Sequence, residues 1–252
     1  MKYSVIIPIY NEENSVVPVY RAVSEVMRKL GGAHEIIFID DGSTDSGVRR
    51  LKAAQAENLV IIELAEHAGK AGALQAGFDH AAGEIHITLD GDGQNDPRDI
   101  PGLLDKLAEG YDLVYGWRFP RRDPALKRIA SEAAYIIRRL TTRTRIHDVG
   151  CALRAFRKKN IENICLWGGL HRFFDAIMAK RGCRVGEVKV SHHPRESGAS
   201  KYGIWDRLKE GTADLFRLYF TGVDRLMKHP RPYKIKHLSR ILPDGQTAQN
   251  DS

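Results

Sequence analysis

The sequence predicts a doubly wound α/β fold on a largely parallel sheet. Three observations carry that prediction. Short β-branched runs, almost continuously apolar, recur as YSVIIPIY (3–10), EIIFIDD (35–41), LVIIELA (59–65) and EIHITLD (84–90). That is the pattern of strands buried on both faces. Helical stretches separate them at 14–31, 45–57 and 70–82, giving the β-α alternation of parallel sheets. The strands end in polar clusters, YNEE, DDGSTD, AEHAGK and LDGDGQ, and in such sheets ligands bind beyond the carboxyl ends of the strands.

The remaining elements follow in order. A helix is expected at 98–109 and a fifth strand in DLVYGWR (112–118). Beyond residue 120 the alternation changes. The segment 123–143 starts with Asp-Pro and carries Leu126, Ile129, Ala133, Ile136, Ile137 and Leu140 as an apolar stripe, which reads as a helix. CALRAFR (151–157) and CRVGEVKVSHH (183–193) read as strands around a helix at 172–181. Helical spacing returns at 203–227, where Trp205, Phe216 and Phe220 widen an apolar face. The chain then turns basic in KHPRPYKIKH and ends in PDGQTAQNDS, a polar tail expected to be disordered. The expected organisation is a catalytic domain over 1–202, divided at 116/117, then an amphipathic helix over 203–230 and a basic, partly disordered tail over 231–252.

The 252 residues include 42% hydrophobic and 28% charged side chains, ordinary values for a globular chain. Cys151, Cys165 and Cys183 stand far apart without a CxxC, which argues against a disulfide framework or zinc knuckle and favours a reducing compartment. The first residues, MKYSVIIPIYNEE, read as a strand rather than a signal peptide. No apolar run approaches membrane-spanning length. The net charge of +7 conceals an asymmetry. Residues 1–116 carry 10 Lys/Arg and 19 Asp/Glu, a net of −9, whereas residues 117–252 carry 29 and 13, a net of +16. An acidic half suits a metal, and a basic half suits an anionic partner such as phosphate or a lipid headgroup. Nucleic acid fits the charge alone, since no recognition motif accompanies it.

The stretch LDGDGQNDP (89–97) concentrates the chemistry. A calcium loop starting at Asp90 requires Gly at its sixth position and Glu at its twelfth, where Asn95 and Pro101 stand. AEHAGKAGALQAG is neither a Walker A loop nor GxGxxG, and no HExxH or GxSxG occurs. What survives is Asp90-x-Asp92-x-Gln94 just past a buried strand. Alternate residues there point the same way, so these oxygens can converge on Mg²⁺ or Mn²⁺, cations that keep positions open for a diphosphate. A purely polar turn is the alternative reading. Asp96, before Pro97, is expected to cap the next helix.

Five ordered motifs, VIIPIYNEE, IIFIDDGSTDSG, LDGDGQNDPRDIP, DVGCALRAFRK and RESGASKYG, resemble family-2 glycosyltransferases of the GT-A fold. The resemblance extends over about residues 3–225 and is to the polyprenyl-phosphate sugar synthases, of the dolichyl-phosphate mannose synthase and bacterial undecaprenyl-phosphate type. It implies that Pro8, Tyr10 and Glu12 line the nucleotide loop and that Asp40 and Asp41 hold base and ribose, with a helix cap as Asp41's alternative role. Lys70 lies near the nucleotide, or else is solvated. Asp90, Gly91, Asp92 and Gln94 match the metal triplet, in which Gly91 replaces a usual alanine. Arg118, Lys127 and Ser131 match positions that bind the lipid phosphate, and a solvated basic helix face is the alternative. Asp148 and Arg154 match a site-lining segment, although Arg154 also suits a structural ion pair. Arg195, Ser200 and Lys201 resemble a loop that closes over the donor. His171 stands either in the site or at a helix start.

The implied reaction moves a sugar, from GDP-mannose or a UDP-hexose, to a polyprenyl phosphate with inversion. Asp92 and Arg118 would be central, and Asp148 or Asp175 would be a base if one is used. Two other functions remain open: glycosylation of a saccharide or protein hydroxyl, and a non-catalytic nucleotide-sugar or lipid-binding module. The expected location is the cytoplasmic face of a membrane, by peripheral docking or through a membrane-protein partner.

Overall fold

The computed structural model describes residues 1–54, 56–119, 146–194 and 230–241, and the backbone of 247–250. Five parallel-sheet units come first: β1 (Tyr3–Ile9), α1 (Val16–Leu30), β2 (His34–Asp40), α2 (Gly47–Lys52), β3 (Leu59–Leu64), α3 (Gly69–His80), β4 (Ile85–Thr88), α4 (Ile100–Ala108) and β5 (Leu113–Arg118). After them come β6 (Arg154–Arg157), α5 (Phe174–Lys180), β7 (Val185–Val190), β8 (Ile235–Ile241) and β9 (Thr247–Asn250). Among the described residues the strands form one sheet, ordered β7-β5-β6-β4-β1-β2-β3-β8-β9. The β1–β2, β2–β3, β1–β4 and β5–β7 pairs are parallel, while β6 runs antiparallel between β4 and β5.

Two apolar cores sandwich the sheet because strand residues alternate faces. Ile6, Ile37 and Ile39 pack with α3 and α5, while Val5, Ile7, Ile36 and Phe38 pack with α1, α2 and α4. Helix α1 buries Val16, Val19, Tyr20, Val23, Val26 and Met27, a three-to-four-residue stripe that suits a sheet face. Helix α3 lies close enough that a Cβ at Gly77 would stand 2.5 Å from Ile6 Cγ2.

The structure differs from the sequence expectation in three places. The helix expected at 45–57 is confined to Gly47–Lys52. The Tyr20 hydroxyl accepts the Glu57 N–H at 2.7 Å, and Asn58 takes a φ of 55° to turn the chain into β3. The strands expected at 151–157 and 183–193 are limited to Arg154–Arg157 and Val185–Val190. The segment 231–252, expected to be basic and partly disordered, supplies two strands. β8 pairs antiparallel with β3, and β9 with β8, which covers an edge of free backbone groups that β3 would otherwise expose. The expected helices at 123–143 and 203–227 lie outside the described residues. Among those residues no helix is long and apolar enough to cross a membrane.

Candidate active site at the strand ends

β1 lies between β2 and β4, where the strand order reverses, the position at which α/β sheets bind ligands. The carboxyl ends of β1 to β5 bring most of the described candidate residues to this edge. Pro8 is the penultimate residue of β1, and the Tyr10 ring beyond the strand lies 4.4 Å from the His67 ring. Glu12 contributes its carbonyl, which accepts the N–H groups of Ser15 and Val16 at the start of α1. Asp40 accepts from the Ser43 N–H at 3.2 Å. Asp41 is buried, accepts the Ala68 N–H at 2.7 Å and meets His67 Nδ1 at 3.0 Å. Burial pushes both carboxyls above the ordinary aspartate range. Asp41 therefore ties the loops after β2 and β3 together, and Asp45, not Asp41, caps α2 by accepting the Gly47 N–H.

The loop after β4 is braced from within. Asp90 N–H donates to Asn95 Oδ1 at 3.1 Å, and Gln94 N–H donates to Asp92 Oδ1 at 3.1 Å. Gly93 takes a φ of 78°. The Ser15 hydroxyl donates to the Gly91 carbonyl at 2.7 Å, which joins this loop to the loop after β1. Gly91 sits against β1, where an added Cβ would stand 2.4 Å from Ile9 Cγ2. Its lack of a side chain therefore permits close approach rather than loosening the turn. Asp96 caps the next helical turn as expected, accepting the Arg98 N–H at 3.0 Å. The Arg98 guanidinium holds its carboxyl well below the usual range.

Lys70, in the first turn of α3, reaches Asp90 Oδ1 at 2.5 Å and so is not an unattached surface lysine. Asp90 and Asp92 are half-buried. They offer hard oxygens at an open strand end, and Asp90 already faces a cation. That donor set fits Mg²⁺ or Mn²⁺ completed by substrate oxygens and water. Among the described residues no three His, Cys, Asp or Glu side chains form a closed metal cage. Gln94 directs its amide nitrogen to the His193 carbonyl at 3.4 Å.

On the other side of the edge stands Arg118, at the end of β5. Its Nε and Nη2 donate to Asp148 Oδ2 at 2.6 Å and Oδ1 at 2.8 Å. The Asp148 side chain is fully buried, while that of Arg118 is 25% exposed. This bidentate pair sets the carboxylate of Asp148, expected to be catalytic, directly against the Arg118 guanidinium and orients it. Arg154, expected to line the site or to serve structurally, stands behind the same turn. It is buried and donates to the carbonyls of Cys151, His171 and Val149 at 3.0, 3.2 and 3.2 Å, with its guanidinium 4.6 Å from the Tyr115 ring centroid. It holds the 148–151 turn from behind. Asp175 is likewise fully buried, at the start of α5. His171 lies in the 3-10 turn Leu170–Phe173 before α5, and burial, aided by the positive charges of Lys70 and Arg154, keeps its ring neutral. Lys127, Ser131, Arg195, Ser200 and Lys201 lie outside the described residues.

Two histidines that the motif reading passed over also reach the site. His192 bridges to Asn95 and feels the charges of Arg118, Asp148 and Asp92. His193 N–H donates to the Gln94 carbonyl at 3.0 Å, and its Nε2 meets Asp96 at 3.1 Å. The chain after β7 thus clips onto the aspartate loop. The adjacent His pair at the end of a strand was the available signal.

Comparison with known proteins places this geometry in context. A family model described as Glycosyl transferase family 2 matches residues 4–165. The chain is 41% identical over 212 residues to dodecaprenyl-phosphate galacturonate synthase of Rhizobium johnstonii, spanning 81% of this chain and 62% of the relative. It is 38% identical over 206 residues to undecaprenyl-phosphate 4-deoxy-4-formamido-L-arabinose transferase of Klebsiella pneumoniae, spanning 81% and 63%. The chain thus matches less than two thirds of the length of these relatives. Glucosyl-3-phosphoglycerate synthase of Mycobacterium tuberculosis, solved with Mn²⁺ and UDP-glucose, superposes with a TM-score of 0.64 at 20% identity, over 87% of this chain and 79% of that one.

Proposed function

The chain belongs to glycosyl transferase family 2, and on that premise we propose that it transfers a sugar from a nucleotide diphosphate sugar to a polyprenyl phosphate. One observation carries the reading. Arg118, a partly exposed guanidinium, stands on the same strand-end edge as the aspartates of the donor side and feels the charge of Asp90. A reaction between two phosphate-bearing substrates needs such a division of charge. The relatives named for polyprenyl phosphates support it.

On this reading Tyr10, Asp40 and Asp41 receive the nucleoside, and Lys70 faces the diphosphate. Asp90 and Asp92 would hold Mg²⁺ or Mn²⁺, which supplies neutralisation of the leaving diphosphate. Gln94 is kept as a further oxygen donor to that cation. The nucleophile is the acceptor phosphate, largely ionised near neutral pH because its second pKa is about 6. It needs no strong base, which agrees with Asp148 being locked to Arg118. Asp148 takes Nε and Nη2 and leaves Nη1 for a phosphate oxygen. Lys127 and Ser131 would complete the acceptor side, and Arg195 and Lys201 would close over the donor. Attack in line with the departing diphosphate inverts the anomeric carbon. Peripheral contact with the membrane that carries the acceptor belongs to the same proposal.

The test incubates purified protein with Mg²⁺ or Mn²⁺, a panel of UDP- and GDP-sugars that includes uronic acids and pentoses, and undecaprenyl phosphate. Mass spectrometry should detect a lipid phosphosugar with one donor. Transfer to a saccharide or peptide hydroxyl instead would refute the acceptor assignment.

A further inference from the structure

The end of β5 carries a feature that the proposed chemistry does not use. Phe119 is 53% exposed, and within the described chain only Met1 is a comparably exposed large apolar residue. Trp117 stacks on His147 at 4.5 Å, with their planes 15° apart. Lys189 stands opposite Trp117 in the β5–β7 register, on the outermost strand of the sheet. Its ammonium lies 4.5 Å from the Phe119 ring centroid and 5.6 Å from that of Trp117. His147 in turn pairs with Glu187. Two aromatic rings and a lysine therefore share one edge patch. Such a patch inserts its rings at headgroup depth and sends its ammonium to the lipid phosphates.

We propose that Trp117, Phe119 and Lys189 form an interfacial anchor that seats this edge of the sheet on an anionic lipid surface. The inference rests on the reading of the acceptor as a polyprenyl phosphate and adds where the protein touches the lipid. The phosphate of such an acceptor lies at headgroup level. Whatever holds it must come within a few ångströms of that level. Arg118 is the residue assigned to it, and strand residues rise about 3.3 Å each. Trp117 and Phe119, its two neighbours in the chain, are therefore carried to the same depth. Because strand side chains alternate faces, they point to the opposite face from Arg118 and leave its place free. The sequence from 117 to 145 holds nine basic and two acidic residues, a composition that favours an anionic leaflet. A second copy of the chain docking on the β7 edge is the rival occupant.

The experiment floats the full-length protein with vesicles of phosphatidylethanolamine and phosphatidylglycerol, and with vesicles of phosphatidylcholine alone. Phe119→Ser and Lys189→Glu are compared with the wild type after their melting curves confirm folding. The wild type should prefer the anionic vesicles. Each variant should lose at least about tenfold in partitioning, the scale expected when one aromatic ring is withdrawn from the interface or one charge there is reversed. Both should keep wild-type turnover on a short, water-soluble prenyl phosphate. Unchanged flotation in both variants, or no flotation of the wild type, overturns the anchor, as does a loss of flotation explained by a lost dimer in sedimentation. The readouts are separable. A wild type that floats through Phe119 yet transfers no sugar would refute the reaction and leave the anchor standing.

Discussion

At the scale of single residues, close approach and burial make specific demands. Gly91 exists as glycine because β1 is too near for a side chain: a Cβ would meet Ile9 Cγ2 at 2.4 Å. Gly91→Ala should cost about 1–3 kcal/mol, the usual penalty for overpacking, and Ile9→Ala should recover part of it in a double-mutant cycle by denaturant unfolding. His86 makes a different demand. It is fully buried on β4 between Phe78 and Phe156, and neither ring nitrogen has a hydrogen-bond partner. Burial, with a smaller effect of Lys158, pushes its pKa down to about 4 from 6.5. The folded state thus binds this proton more weakly than the unfolded state does. His86's contribution to stability is fully present above pH 6.5 and is lost as pH falls from 6.5 toward 4. The span of about 2.5 pH units corresponds to about 3 kcal/mol. His86→Leu should flatten that part of the curve of melting temperature against pH, while an unaltered slope would contradict the assignment.

At the scale of elements, the C-terminal segment bears on α3, the helix that carries Lys70. Residues 230–241 run along α3 before pairing with β3. The Tyr233 hydroxyl donates to Asp79 at 2.7 Å, Arg231 meets the same carboxylate at 2.9 Å, and Pro232 lies against Gly72. Asp79 and Gly72 both belong to α3, whose first turn presents Lys70. Tyr233→Phe should lower stability by about 1 kcal/mol, the scale of one lost hydrogen bond, measured as a shift in the denaturant midpoint at constant slope. The strand was not legible locally. In IKHLSRI the apolar residues Ile235, Leu238 and Ile241 stand three apart rather than two, and the basic and polar composition around it suggested disorder. Composition reports whether a segment can form a core of its own. It does not report that β3 offers an open edge to a segment more than 170 residues later in the chain.

At the scale of the whole molecule, the first half of the fold was legible because buried parallel strands write themselves as uninterrupted β-branched runs. The positions of Asp40, Asp41, Asp90 and Asp92 followed from those strand ends, and the cap at Asp96 from the proline after it. The acceptor side was less legible. Whether Asp148 is a free base or the partner of Arg118, and whether Arg154 faces a ligand or three carbonyls, depends on contacts across 30, 17 and fewer residues that no local pattern encodes. His192 and His193 reach the aspartate loop only because β7 pairs beside β5. On the proposed reading the assembled edge divides the labour, with donor anions on the β1–β4 side and the acceptor anion at Arg118. The most direct test of that division measures nucleotide binding and single-turnover sugar transfer in Arg118→Ala, alongside the wild type. The account predicts wild-type affinity for the nucleotide diphosphate, with transfer to polyprenyl phosphate reduced at least about 100-fold, the scale of a lost charge-stabilising donor. Wild-type transfer in the folded variant would contradict it.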